Sequence, residues 1–212
     1  MDARNRSGVS VPAARRTQAE RRLATTTAIL DATIDNLVER GYAGTSTTEI
    51  CKRAGVSQGA LFRHWSSKGE LLAAAAAHLF GRVTAAYEAT ATAKADMSVS
   101  EAVELLWESY QQPDLQAVIE LYVAARTDVD LAAALREIEP AHRANLHRIA
   151  AGVLPPELAG DADIASIIDV SIAAVQGATM AIAAAPDPAS VKQAILRGLD
   201  RVLPGRGRPP SG

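Results

Sequence analysis

From Ala54 to Leu72 the chain reads Ala-Gly-Val-Ser-Gln-Gly-Ala-Leu-Phe-Arg-His-Trp-Ser-Ser-Lys-Gly-Glu-Leu-Leu, and several side chains in this run could do chemistry. Gly55-Val56-Ser57-Gln58-Gly59 has the G-x-S-x-G spacing that raises a nucleophilic serine on a sharp strand-to-helix turn, which would make Ser57 the nucleophile of a hydrolase. That chemistry needs a strand before the serine, and here a helical pattern precedes it, so Ser57 reads as the N-cap of a following helix. Gln58 and Arg63 fit another kind of contact. An amide matches N6 and N7 of adenine, and a guanidinium matches O6 and N7 of guanine, when both project from a helix laid in a major groove. Metal chemistry finds no ligand set. His64, His78, His142 and His147 form no HExxH pair, the five-residue step from His142 to His147 leaves a common helical face, and Cys51 is the only cysteine. No metal and no cofactor are expected, and Cys51 reads as a small buried filler.

These residues must be positioned by helices. About a fifth of the chain is alanine and only 4% is aromatic, so strong helix formers dominate and strand formers are scarce. The spacing of Leu23, Thr27, Leu30, Ile34, Leu37 and Val38 predicts a first helix from about Arg16 to Arg40, stopped at Gly41. Ser46 and Glu49 spell a capping box for a second helix that ends at Gly55. Ser57 opens a third, running to about His64 or Trp65, and Ser67 with Glu70 opens a long fourth, to about Thr92. Further helices are predicted near 98–111, 114–126, 129–152, 161–184 and 188–203, with breaks at Pro113, Asp128, Pro155-Pro156 and Pro186–Pro188. Nine helices and no convincing strand define an all-α chain. Its predicted parts are a flexible basic arm (1–14), a unit of the first three helices (15–66), a helical body (67–203) and a disordered tail (204–212).

The formal net charge of −2 hides an asymmetry. Residues 1–70 carry 11 Lys and Arg against 7 Asp and Glu, whereas residues 71–212 carry 11 against 17. A basic first third suggests an anionic surface, nucleic acid or membrane, met by one end of the molecule. With one cysteine and no leader-like segment, the chain reads as cytoplasmic.

Two short helices joined by Ala54-Gly55-Val56-Ser57 have the pattern of a helix-turn-helix. With Gly41-Tyr42 and Thr45-Ser46 to Ile50 before it, the run to Leu72 resembles the TetR family of bacterial transcriptional regulators, over about residues 18–75. The resemblance implies an N-terminal three-helix DNA-binding domain followed by a six-helix ligand-binding and dimerisation domain. It is incomplete in places: Phe62 stands where tyrosine is usual, and Trp65 where phenylalanine is usual. Read from the residues, Val56, Leu61 and Trp65 face helix 1, while Gln58, Arg63 and Ala60 face outward. The resemblance adds Thr48 and Gly59 to the groove-facing set, gives Phe62 a sugar or thymine methyl to pack on, and places His64 and Lys68 on the phosphate backbone. Arg15, Arg16, Arg21 and Arg22 fit phosphate or minor-groove contact.

Downstream, Trp107, Tyr110 and Tyr122 lie on the apolar stripes of two neighbouring helices, and with Arg126 they are the candidate lining of an effector pocket. The stretch from Ile164 to Ala185 is nearly uncharged and long enough to span a bilayer, but Asp169, Gln176 and Thr179 favour a helix buried between subunits. Ile164, Ile168, Val175, Ala178, Ile182, Val191, Ile195 and Leu199 are the candidate dimer contacts. The resulting expectation is a regulator with no enzymatic activity and no membrane partner. It would repress as a homodimer on a palindromic double-stranded operator and be released by an unknown small-molecule effector. A serine hydrolase built on Ser57 and a helical membrane-associated protein are the alternatives.

Overall fold

The computed structural model describes residues 17–93, 97–154 and 163–202, and among these every regular element is a helix. The predicted arm and tail, with Arg15 and Arg16, lie outside the described residues. Helix α1 spans Gln18–Gly44 and starts from a capping box that sequence reading passed over: Thr17 Oγ1 accepts the Glu20 N–H at 3.2 Å while the Glu20 carboxylate accepts the Thr17 N–H at 2.8 Å. Regular geometry breaks at Gly41, where φ is 65°, so the predicted stop is a kink and one more turn follows it.

Helix α2 (Thr47–Ala54) ends at Gly55 in the left-handed region, φ 68°, which turns the chain into α3 (Gln58–Leu61). The box at Ser46 is half formed. Ser46 Oγ accepts the Glu49 N–H at 3.3 Å, but the Glu49 carboxylate pairs with Arg40 of α1 at 3.4 Å. Helix α3 is also shorter than its spacing predicts: after Leu61 the chain tightens into a turn in which the His64 N–H reaches Leu61 O at 2.9 Å. The cause lies just ahead. Helix α4 (Lys68–Ala93) needs its own cap, and the Glu70 carboxylate draws in the Ser66 N–H at 2.6 Å while Ser67 Oγ accepts from Glu70 N–H.

The remaining described helices are α5 (Val99–Tyr110), α6 (Pro113–Ala124), α7 (Val129–Val153), α8 (Ile164–Ile182) and α9 (Pro188–Val202). Helix α1 packs on α2, α4 and α6, α4 lies along α7, and α5 meets α8 and α9. One continuous core runs from Ile29, Leu37, Ile50 and Leu61 through Leu71 and Leu79 to Leu121, Leu131 and Val175. Each such side chain contributes about 1.5–3 kcal/mol of hydrophobic stabilisation. The alanine run of α4 keeps Ala73, Ala75 and Ala76 buried, and small side chains allow helix axes to approach closely. At Gly69 a Cβ would lie 2.9 Å from the Leu131 backbone N, so the starts of α4 and α7 touch backbone to backbone.

Helix α8 is long and apolar enough to cross a membrane by length and composition, yet it is built as a bundle helix with an inward and an outward face. Ile168, Val175 and Ala178, with Leu199 of α9, are buried within the single chain, and Ile164, Ile182, Val191 and Ile195 are half-buried. The four buried residues hold these helices to their own bundle. The outward stripe is instead Ser166, Val170, Ala173, Gly177 and Met180, at alternating steps of four and three. A helix apolar on both faces has no periodic signal that says which face points in.

Candidate nucleic-acid interface

Helix α2 is held to α1 by Ile50 and Cys51, both buried, and by Arg53, which pairs with Asp35 and Glu39 of α1. Burial pushes the Cys51 thiol up, as suits an inert core residue. Ser57 is the N-cap of α3, its Oγ accepting the Ala60 N–H at 3.2 Å, and α2 precedes it where a nucleophile elbow would need a strand. Leu61 is fully buried, and Val56 and Trp65 pack half-buried against the same core.

With those residues inward, Gln58, Gly59, Phe62 and Arg63 are exposed and Ala60 is half-buried. Gln58 Nε2 donates to Thr48 Oγ1 at 2.9 Å, so the groove-facing candidates of α2 and α3 form one patch. Arg63 Nε reaches back to Gly59 O at 3.4 Å, leaving the far edge of its guanidinium outward. Nothing lies within 4 Å of a Cβ built on Gly59, which presents open backbone. Arg21 and Arg22 border the same concavity as Arg63 and His64, about 720 Å³ between the start of α1 and α3. His64 Nδ1 stands 3.4 Å from Thr26 Oγ1 of α1, which orients the ring along the rim. This open surface carries amide, guanidinium and imidazole groups and has no carboxylate among its lining residues, so it suits a polyanion with readable base edges.

Lys68 is placed elsewhere. Its Nζ sits 4.6 Å above the Tyr42 ring and 3.5 Å from Tyr42 O, half-buried. Burial holds its pKa below the usual lysine value, opposed by the nearby Asp128 carboxylate. Around it lies a junction that sequence reading missed. Tyr42 donates its hydroxyl to Asp128 and its N–H to Glu120 Oε2 at 3.0 Å, and Asp128 also caps α7 by accepting the Leu131 N–H at 2.9 Å. The hydrogen bond to Asp128, then burial, pushes the Tyr42 phenol up to about 12. The backbone N–H of Leu131 first, and the Tyr42 hydroxyl second, hold Asp128 below the usual carboxylate range. The α1–α3 unit is thus clamped to the α6–α7 turn where α1 kinks.

In the C-terminal body, Trp107 and Tyr110 are buried, Tyr122 is 38% exposed, and Arg126 is exposed in the turn after α6. Tyr110 Oη accepts from Gln176 Nε2 at 2.8 Å, and Tyr122 Oη donates to Glu139 Oε2 at 2.7 Å. Gln176 and Glu139 were not foreseen, because nothing in sequence spacing pairs residues of α5 with α8 or α6 with α7. Among the described residues no group of three or more His, Cys, Asp or Glu side chains could hold a metal ion.

Among the described residues every regular element is a helix, and the glycine-turned helix pair with an exposed polar second helix has the arrangement of a helix-turn-helix DNA-binding regulator. Residues 29–82 match the family described as bacterial regulatory proteins, tetR family. An uncharacterized HTH-type transcriptional regulator of Mycobacterium tuberculosis is 33% identical over 182 residues, covering 85% of this chain and 93% of that one. Among solved structures, a TetR-family transcriptional regulator from Cytophaga hutchinsonii superposes with a TM-score of 0.65 at 19% identity, over 89% of this chain and 96% of that one. The multidrug binding protein EbrR complexed with ethidium gives 0.59 at 24% identity, over 84% and 98%. At such identities the two structures speak for the fold alone. The chain belongs to the TetR family of bacterial transcriptional regulators.

Proposed function

We propose that this regulator is a cytoplasmic homodimeric repressor that binds a two-fold symmetric operator and leaves it when a small molecule occupies the C-terminal body. The observation that carries DNA reading is the α2–α3 patch, in which Gln58, Thr48 and Arg63 are solvent-facing while their neighbours Leu61 and Cys51 anchor the helices from behind. Arg63 reads guanine, Gln58 reads adenine, and Arg21, Arg22 and His64 hold phosphates. The inward setting of Lys68 supports a role in the junction over a phosphate contact.

The outward stripe of α8 supports the dimer. Val170 and Met180 are 56% and 50% exposed, more than a lone helix face needs, and Ala173 and Gly177 between them leave room for a second helix. Two copies joined there would present two recognition helices to successive turns of one groove face. Release then follows as a population shift toward a spacing that no longer matches the half-sites. Multidrug binding by EbrR, a structural neighbour, supports a small-molecule effector here.

Sedimentation of wild type and Ala173→Glu at micromolar concentration, followed by footprinting on the DNA flanking its own gene, tests this reading. Wild type sediments as a dimer and protects a two-fold symmetric site. Ala173→Glu remains folded, sediments as a monomer and loses protection. A monomeric wild type, or protection of a single asymmetric half-site, would overturn the proposal.

A further inference from the structure

Several threonines of this chain satisfy their hydroxyls on their own helix. Thr25, Thr33 and Thr179 each donate to the carbonyl four residues earlier, at 2.9, 2.7 and 2.9 Å. Thr48 is set differently. It is exposed in the first turn of α2, where the carbonyl four residues before it belongs to α1, and its Oγ1 accepts from Gln58 Nε2 of α3 at 2.9 Å across the Gly55 turn. Gln58 opens α3 behind the Ser57 cap, and its own carbonyl accepts the Phe62 N–H at 2.9 Å. The glutamine is therefore held at both ends, its backbone by α3 and its amide nitrogen by α2.

A side-chain amide carries two N–H donors on nitrogen and one carbonyl acceptor. With one N–H engaged by Thr48, the free edge offers one donor beside one acceptor. Adenine is the one base whose own major-groove edge is the complement, an N7 acceptor beside an N6 donor, whereas guanine presents two acceptors, N7 and O6. An untethered glutamine can turn its NH2 group outward and serve guanine as well. We infer that Thr48 is a positioning residue that acts through Gln58, holding the amide in the sense that accepts adenine and refuses guanine. This rests on the reading of the α2–α3 patch as the DNA-reading surface and names what sets its specificity at one base. Arg63 has only a 3.4 Å bond to its own segment, at Gly59 O, and a guanidinium needs no such tether because all its N–H groups donate.

Binding selection from a randomised duplex library, followed by gel-shift titration of single-base variants of the selected site at fixed salt, tests this on the full chain. Gln58→Ala locates the position that Gln58 reads, as the one where its loss removes the preference. There the wild type is expected to favour adenine over guanine by about ten-fold or more, within the range of a bidentate contact. Thr48→Val keeps the shape of the side chain and removes the hydroxyl. It should bring adenine and guanine close to parity at that position while the preferences at the other positions persist, and Thr48→Ser, which returns the hydroxyl, should restore the discrimination. Thermal melting shows that each variant is folded, and Thr48→Ala takes the place of Thr48→Val if the valine protein does not fold. A full adenine preference without the hydroxyl, a loss spread evenly over all positions, or a Thr48→Ser protein that behaves like Thr48→Val overturns the inference. So does a wild type that prefers guanine at the Gln58 position, which would set Oε1 and not Nε2 against the hydroxyl, or one in which Gln58→Ala changes no position. Each of these outcomes leaves a sequence-specific regulator standing, whereas a wild type that selects no sequence at all sinks that reading and the inference with it.

Discussion

The DNA-facing end and the junction behind it are built on opposite terms. At α2–α3 the functional side chains are exposed and lightly tied, each making one long or side-chain hydrogen bond, such as Arg63 to Gly59 O or Gln58 to Thr48. At the junction, Tyr42, Lys68, Asp128 and Glu120 satisfy one another, and Gly69 brings two backbones into contact. The contrast separates two jobs. On the proposed function, a surface that reads many sequences before stopping at one keeps its polar groups free, whereas a joint that carries motion to it has no slack.

Variation in the buried body should have the largest effect and touch folding alone. Trp107 is 4% exposed, so Trp107→Ala is expected to cost about 3–5 kcal/mol and lower the melting temperature sharply. Near-normal melting would mean that Trp107 lines an open cavity, and the aromatic body would then resemble the DNA-facing surface in its tolerance.

The joint comes next. Gly69→Ala forces a methyl within 2.9 Å of the Leu131 backbone, where no flexible side chain can yield, and should destabilise by about 1–3 kcal/mol while changing the spacing of α4 and α7. Differential scanning calorimetry and effector release, measured on the same protein, check it. Unchanged melting would show that the two backbones slide apart freely, and the tight joint would be lost from the account.

Smaller still is the effect of Tyr42→Phe, about 1–2 kcal/mol at neutral pH for a hydrogen bond to a carboxylate. Its pH dependence has a definite sign. The folded pKa of Tyr42 is raised from 10.0 to about 12, so its contribution is full below pH 10 and is lost as pH rises through that window. Asp128 is lowered from 3.8, so its contribution is full above that value and is lost as pH falls through its folded pKa. Denaturant titrations should therefore show the wild-type advantage over Tyr42→Phe fading at both extremes and flat between about pH 5 and 9. A constant difference from pH 9 to 12 would remove the Tyr42–Asp128 contact.

The same contrast explains what could be read in advance. Helix boundaries were legible because their signals are local: Ser57 and Gly55 act on residues within one turn, and they stand where the spacing places them. The exposed set on α2 and α3 was legible because its anchors and its exposed residues alternate along a single short segment. Lys68 was not. Whether it points at a phosphate or at Tyr42 depends on a ring 26 residues earlier and a carboxylate 60 residues later. The faces of α8 were ambiguous for a different reason. Ile168 and Val175 look no different in sequence from Val170, although the first two are buried and Val170 is 56% exposed. Glu139 lay hidden because a lone glutamate on a helix of mixed charge ordinarily reads as solvated surface.

The central claim is that the exposed α2–α3 patch reads DNA while contributing little to folding. Arg63→Ala tests it most directly, by gel-shift titration at fixed salt on the operator-containing fragment beside a thermal melt of the same protein. The account predicts an affinity loss between about 5-fold and about 150-fold, equivalent to about 1–3 kcal/mol, confined to particular operator bases, with stability within about 0.5 kcal/mol of wild type. Wild-type affinity in Arg63→Ala, or a loss that appears only because the protein has melted, would contradict it.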